Sequence, residues 1–153
     1  MRVTIVCVGR LSRDYQQVWA HYRSLMGPYG TLEVEEVPET PIAQGEARVL
    51  KTEGDALLGR LRPKAFTIAL DRGGKQLTSE GLSRLLAEQK LYGRSDFLFI
   101  LGGALGLDQR VREAADLVWS LSELMFPHQL ARCIVMEQIY RATRIERGEP
   151  YHH

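Results

Sequence analysis

The chain is expected to fold as an α/β protein with a mainly parallel sheet and helices on both faces. Three observations predict this. The runs RVTIVCV at 2–8, AFTIAL at 65–70 and DFLFIL at 96–101 are almost wholly apolar, as strands covered on both sides must be. Between them lie segments whose apolar residues recur at helical spacing. Alternation of the two types at such intervals is the pattern of parallel strands joined by helical crossovers. With 153 residues, the whole of 1–153 is read as one domain able to bury a substantial core.

Taken in order, the first strand covers 2–8 and Gly9 ends it. Ser12 is placed to cap a helix over 13–26, with Val18, Tyr22 and Leu25 as its inward residues. TLEVEEV at 31–37 alternates apolar and mostly acidic residues, which predicts a half-exposed outer strand. Pro38 and Pro41 frame a loop. A second helix is predicted over 46–61, with Val49, Leu50, Leu57 and Leu58 inward. The strand at 65–70 is closed by Asp71 and the turn Arg72-Gly73-Gly74-Lys75, and a third helix follows over 79–92. After the strand at 96–101 come three glycines. Asp108 is then a sound cap for a helix reaching about Val118. WSLSELMF reads as a short strand and loop. Pro127 begins a long final helix to about Arg147, followed by the tail GEPYHH.

Composition excludes several classes. A hydrophobic fraction of 44%, a charged fraction of 25% and a formal net charge of +1 describe an ordinary globular chain. A general polyanion binder would be more basic, so any RNA contact has to be local. Cys7 and Cys133 sit in apolar stretches, and the four histidines show no ligand spacing with acids or thiols, so no metal site is expected. The first apolar run is too short for a signal peptide and nothing approaches a membrane span. A cytoplasmic protein is expected.

The glycine cluster LGGALGLDQ at 101–109 carries the chemistry question. In a parallel sheet, ligands sit beyond the carboxyl ends of strands, so the chain after Leu70, after Leu101 and from Leu121 onward competes for the site. A triphosphate loop needs GxxxxGK[ST] and a dinucleotide loop needs GxGxxG; this stretch is neither. It has no lysine, arginine, serine or threonine of its own. A ligand without phosphate suits it better. S-adenosylmethionine carries a positive sulfonium, which a cationic loop would repel, and an adenine that backbone groups and apolar side chains can hold. The same glycines would equally serve a tight turn and close helix packing.

DFLFILGGALGL, followed by WSLSELMFPHQLARCIVMEQIYRATRIERGEPYHH, closely resembles the RlmH family of SPOUT-class ribosomal RNA methyltransferases. The resemblance takes in the opening strand, ARVLKTEGDALL and LDRGGKQLTSEGLSRLL, and so covers nearly the whole chain. It implies a trefoil knot near the C-terminus, against general topology rules, and a homodimer. It implies methyl transfer from S-adenosylmethionine to N3 of a pseudouridine in 23S rRNA of the assembled ribosome. Carried over by motif, Leu70, Gly102, Leu121, Ser122, Glu123, Leu124, Met125 and Phe126 are the expected cofactor-binding residues. Two departures stand out: Ala104-Leu105 stands inside the glycine turn where family members often have a polar residue or Pro-Glu, and His153 stands where the family usually has Arg or Lys.

Since the sulfonium is already electrophilic, the reaction is mainly one of alignment, with a base to take the N3 proton. His152 is the first candidate because a neutral imidazole accepts a proton near pH 7. Tyr151 would stack on or bond to the base, and His153 would face developing negative charge or phosphate. The final helix contributes Arg132, Arg141, Arg144 and Arg147, some of which are expected to reach rRNA phosphates, while Leu130, Ile134, Ile139, Ala142 and Ile145 form an apolar side for the core or a dimer. Two other functions remain: a non-catalytic adenosyl-nucleotide-binding module, which has no use for Tyr151-His152, and a SPOUT enzyme acting on transfer RNA.

Overall fold

The computed structural model describes residues 1–152. Strands β1 (Arg2–Val8), β2 (Thr31–Val37), β3 (Phe66–Gln76), β4 (Asp96–Leu101) and β5 (Leu117–Ser120) form one sheet in the order β2-β1-β4-β3-β5. All four pairings are parallel. The helices are α1 (Arg13–Leu25), α2 (Glu46–Leu58), α3 (Ser79–Leu91), α4 (Gln109–Ala114) and α5 (His128–Glu146).

Because side chains alternate along a strand, the central strands feed two cores. Val3, Ile5 and Cys7 of β1 join Phe97, Phe99 and Leu101 of β4 under α1, α3 and α5, through Trp19, Leu82, Met136 and Ile139. Val6 and Val8 join Leu98 and Ile100 under α2 and α4, through Leu57 and Val111. Both faces of β1 and β4 are therefore apolar for a reason: each strand contributes to both layers. β2 pairs only with β1, which makes it the outer strand its acid-rich alternation predicts.

Four local expectations need correction. Val18 is 47% exposed, and the inward residue of α1 is Trp19; the packed stripe runs Tyr15, Trp19, Tyr22 and Met26, and Val18 lies one position, about 100°, off it. Ser12 occupies the cap position of α1, yet its hydroxyl makes no capping bond. α2 ends at Leu58, before Gly59; Leu50 and Leu58 are half-buried, while Glu53 and Gly54 are buried. α4 ends at Ala114, and Leu117 and Val118 belong to β5. In that last case the free edge of β3 captures the chain: Asp116 N–H donates to the Thr67 carbonyl at 2.9 Å, and Thr67 N–H donates to Asp116 Oδ2 at 2.7 Å.

The third strand also runs further than its apolar run. Leu70 and Lys75 both stand opposite Trp119 of β5, so residues 71–74 loop out of the ladder before pairing resumes. A Cβ on Gly74 would lie 2.6 Å from the Val118 carbonyl oxygen, which is why a glycine returns the chain to the sheet. This bulge delivers Asp71 and Arg72 to the carboxyl edge of the sheet. No helix is long and apolar enough to cross a membrane among the described residues.

Candidate donor-binding cleft and tail

A cleft of about 400 Å³ opens at the carboxyl ends of β3, β4 and β5. Its floor is the glycine loop, residues 102–106, which leaves β4 in the middle of the sheet. Leu70, Asp71 and Arg72 form one wall; Leu121, Ser122, Leu124, Met125 and Phe126 form the other, closed by His128 and Ala131 from the start of α5. Three strand ends that are far apart in sequence thus converge, as the sheet architecture requires.

The glycine loop holds itself by backbone contacts. Gly106 N–H donates to the Gly103 carbonyl at 3.1 Å, and Gly106 takes φ +82°, a left-handed conformation suited to glycine. Gly102 is needed for space: a Cβ there would stand 2.5 Å from the Gly106 carbonyl oxygen. At Gly103 a Cβ would stand 3.0 Å from both Glu53 Oε1 and Val8 Cγ1. Glu53, only 3% exposed, accepts from Thr40 N–H at 2.9 Å through Oε2, while Oε1 has no partner among the described residues. Burial pushes its carboxyl above the ordinary glutamate range, against the Thr40 hydrogen bond that pulls it down.

Opposite the loop, Leu124 and Met125 are 70% and 77% exposed, and the Ser122 hydroxyl braces them by accepting from Leu124 N–H at 3.0 Å. Large apolar groups left uncovered at a cleft mouth are poised to cover something flat and apolar. Of the expected cofactor residues, Leu70, Gly102, Leu121, Ser122, Leu124, Met125 and Phe126 line this one cleft. Glu123 is exposed and does not line it.

The tail lies elsewhere in its own chain. Tyr151 stacks on Tyr140 of α5, centroids 4.8 Å apart and planes at 14°, with the Arg141 guanidinium 4.8 Å over its ring. Its hydroxyl donates to Glu137 Oε1 at 3.1 Å, and burial followed by that bond raises its pKa. His152 is held at both nitrogens: Nδ1 is 3.1 Å from Arg141 Nη1, and Nε2 is 2.7 Å from Glu80 Oε1. Guanidinium only donates. Nδ1 must therefore accept, and the ring proton sits on Nε2 facing the carboxylate. Arg141 is ten residues beyond the cleft-lining Ala131 on the same helix, about 15 Å along its axis. Tyr151 and His152 are thus joined to each other and not to the cleft of the same chain. His153 lies outside the described residues.

The arginines of α5 are also committed. Arg132 is 1% exposed, paired with Glu36 at 3.1 Å and donating to the Val8 and Gly9 carbonyls, so it cannot reach a phosphate. Arg141 pairs with Glu137, Arg144 bonds the Tyr140 hydroxyl and Glu149, and Arg147 lies 4.8 Å over the Tyr29 ring. Ile139 and Ala142 belong to the core, leaving Leu130, Ile134 and Ile145 half-buried.

A family model described as "Predicted SPOUT methyltransferase" matches residues 1–152. The chain belongs to the SPOUT methyltransferase family. Its curated relatives are similar over nearly their whole lengths. The protein named ribosomal RNA large subunit methyltransferase H from Pelotomaculum thermopropionicum is 46% identical, over 99% of this chain and 98% of its own. Proteins of the same name from Carboxydothermus hydrogenoformans, at 44% over 99% of each chain, and from Gloeobacter violaceus, at 46% over 100% and 99%, are equally full-length matches. The RlmH resemblance read from LGGALGL and the PHQLAR segment is therefore borne out as family membership.

For a SPOUT chain the cleft contains more than motif transfer indicates. Asp71, Arg72, Trp119, His128 and Ala131 line it unforeseen. The PH pair before α5 was a visible signal for His128. Arg72 falls in the segment after Leu70 that the sheet architecture makes a candidate, but its place in the cleft wall depends on the bulge in β3. Among the described residues no group of three or more His, Cys, Asp or Glu stands close enough to hold a metal ion.

Proposed function

We propose that the protein transfers a methyl group from S-adenosylmethionine to N3 of a pseudouridine in 23S rRNA of the assembled ribosome, working in the cytoplasm as a homodimer. The observation that carries the reading is the cleft itself. Its volume is within the usual range for ligand pockets, roughly 300–1,000 Å³. Its lining joins the backbone of residues 102–106 to Leu121, Leu124, Met125 and Phe126, with a single cation, Arg72, beside the acid Asp71, no lysine and no phosphate-loop pattern. That chemistry fits an adenosyl group and a cationic sulfur. The names of the full-length relatives supply the substrate class.

When bound, the donor supplies an already electrophilic methyl carbon. The chain has to hold it, align the acceptor and exclude water. Gly102 and Gly103 admit close backbone approach, Leu124 and Met125 cover the apolar part, and the loops after β3, β4 and β5 are those in which a C-terminal trefoil knot would form. Removal of the N3 proton is assigned to His152, whose Nδ1 lone pair becomes available once Arg141 is displaced. As His152 of the tail is held against the far part of α5 in its own chain, the cleft it serves is that of a second copy.

The test is product analysis. Ribosomes lacking the N3 methyl group, incubated with protein and S-adenosylmethionine, should yield N3-methylpseudouridine by nucleoside mass spectrometry. His152→Ala should bind the donor with unchanged affinity and lose at least about a hundredfold in turnover, the usual weight of a general base. Wild-type turnover in that variant removes His152 from the mechanism; methylated transfer RNA, or donor binding without product, favours the other readings.

A further inference from the structure

A methyltransferase for rRNA needs cations that meet phosphate, and α5, with its arginines committed, does not offer them. The cations open to phosphate are those that are exposed, lack a carboxylate within ion-pair reach among the described residues and are not already stacked on an aromatic ring, as Arg147 is on Tyr29. At the amino-terminal edge of the sheet, Arg2, Arg60, Arg62 and Arg94 face Glu33, Glu35, Asp96 and Asp116 respectively. Arg23 and Lys64 are the exceptions near that edge.

The carboxyl edge differs. Arg10 and Arg13 lie in the segment that leaves β1, and Arg72 lies in the bulge of β3; all three are exposed and none has an ion-pair partner among the described residues. Their acidic neighbours are largely engaged. Glu36 accepts from Leu11 N–H and pairs with Arg132. Asp71 accepts from Gly73 N–H and lies 3.7 Å from Arg112. Glu39 packs beside Gly9, leaving Asp14 as the exposed acid in the first turn of α1.

Placement makes these cations more than a scattered surface charge. β1 and β3 flank β4 in the sheet, so the two cationic loops rise on either side of the glycine loop, their roots two strand spacings or about 10 Å apart. Arg72 lines the cleft directly. The Arg10 segment is tied to the cleft's other boundary: Gln129, next to His128, donates to the Arg10 carbonyl at 2.9 Å and accepts from Ser12 N–H.

We propose that Arg10 and Arg13 on one side and Arg72 on the other grip the phosphates of an RNA strand whose target nucleotide enters the cleft between them. The proposal rests on the rRNA methyltransferase reading and adds the surface that reads the backbone. A single strand crossing the opening would exchange condensed counterions for three guanidinium groups. Such contacts position the strand without reading its sequence.

The experiment compares wild type with Arg10→Gln/Arg13→Gln/Arg72→Gln on ribosomes lacking the N3 methyl group, between about 50 and 200 mM salt. Arg147→Gln is the control, since Arg147 is already stacked on Tyr29. In the triple variant the log–log salt slope should become shallower by about two, and KM for ribosomes should rise about tenfold or more. Arg10→Gln/Arg13→Gln, which leaves the cleft lining untouched, should keep turnover at saturation and calorimetric affinity for S-adenosylmethionine within about twofold. An unchanged slope and KM overturns the proposal. So does an equal loss in Arg147→Gln, or a loss confined to donor affinity, which would assign Arg72 to the donor's carboxylate. A wild-type protein that never methylates ribosomes sinks the functional reading along with it; an active wild type with an indifferent triple variant sinks the inference alone.

Discussion

At the residue scale, the glycine loop separates two reasons for having no side chain. Gly102 is excluded from bearing a Cβ by a backbone oxygen at 2.5 Å, whereas a Cβ at Gly106 would meet nothing within 4 Å and only its φ of +82° objects. Gly106→Ala should therefore cost about 1–2 kcal/mol and leave the cleft's shape intact. Gly102→Ala should shift the loop, lowering donor affinity more than tenfold for a similar or larger loss of stability. Denaturant unfolding and calorimetry on both variants would separate the effects, and equal donor affinities would contradict the assignment.

Glu53 makes a second residue-scale prediction, with its sign set by burial. Its folded-state pKa is raised, so the proton is held more tightly in the native protein than in the unfolded chain. The contribution of the protonated carboxyl is complete below the unfolded glutamate value of about 4.3 and is lost as pH rises through the folded value. Glu53→Gln, which keeps the acceptor for Thr40 N–H, should match wild type near pH 4 and exceed it near pH 8. Unfolding midpoints at the two pH values check this; a constant difference would refute it.

Elements show how tertiary contacts overrode local pattern. β5 begins inside what helical spacing assigns to α4, because the edge of β3 offers Asp116 a backbone acceptor and Asp116 returns a side-chain acceptor to Thr67. In α5 the same principle places an arginine in the interior. Arg132 is fully buried because it ends three hydrogen-bond demands at the β1 exit: the Val8 and Gly9 carbonyls and Glu36. Arg132→Met fills similar space without donors. It should lower stability by about 3 kcal/mol, as two carbonyls lose their charged donor. The measurement is a urea midpoint at low and high salt, and a salt-sensitive loss would mark the pair as a surface interaction instead.

For the whole molecule, the separation of cleft and tail is the decisive feature. Within one chain, Tyr151 and His152 are held by Tyr140, Arg141, Glu137 and Glu80, about 15 Å along α5 from the cleft wall. If each cleft is completed by another copy, an inactive His152→Ala protein and an inactive Gly102→Ala protein should restore part of the activity when their subunits are exchanged. Some mixed dimers would then hold one intact cleft facing one intact tail. No recovery in subunits shown to have exchanged would place cleft and tail function in the same chain, or remove the tail from it.

Much of this organisation was legible in the residues themselves. Both-faced apolar runs marked β1 and β4, acid alternation marked β2 as the outer strand, and the glycine loop with 121–126 identified most of the cleft, since burial and backbone access leave their imprint on residue type and spacing. Motif resemblance supplied the family, which periodicity could not. Only the tertiary structure decided that Trp19 and not Val18 faces inward, that β3 loops out to deliver Arg72, that Arg132 is interior and that the tail is parted from its own cleft. Each of these depends on which partner a side chain meets across the fold. A hydrophobic pattern records that a residue is covered, but a long polar side chain such as arginine serves buried carbonyls or open solvent equally well until the neighbouring strands are in place.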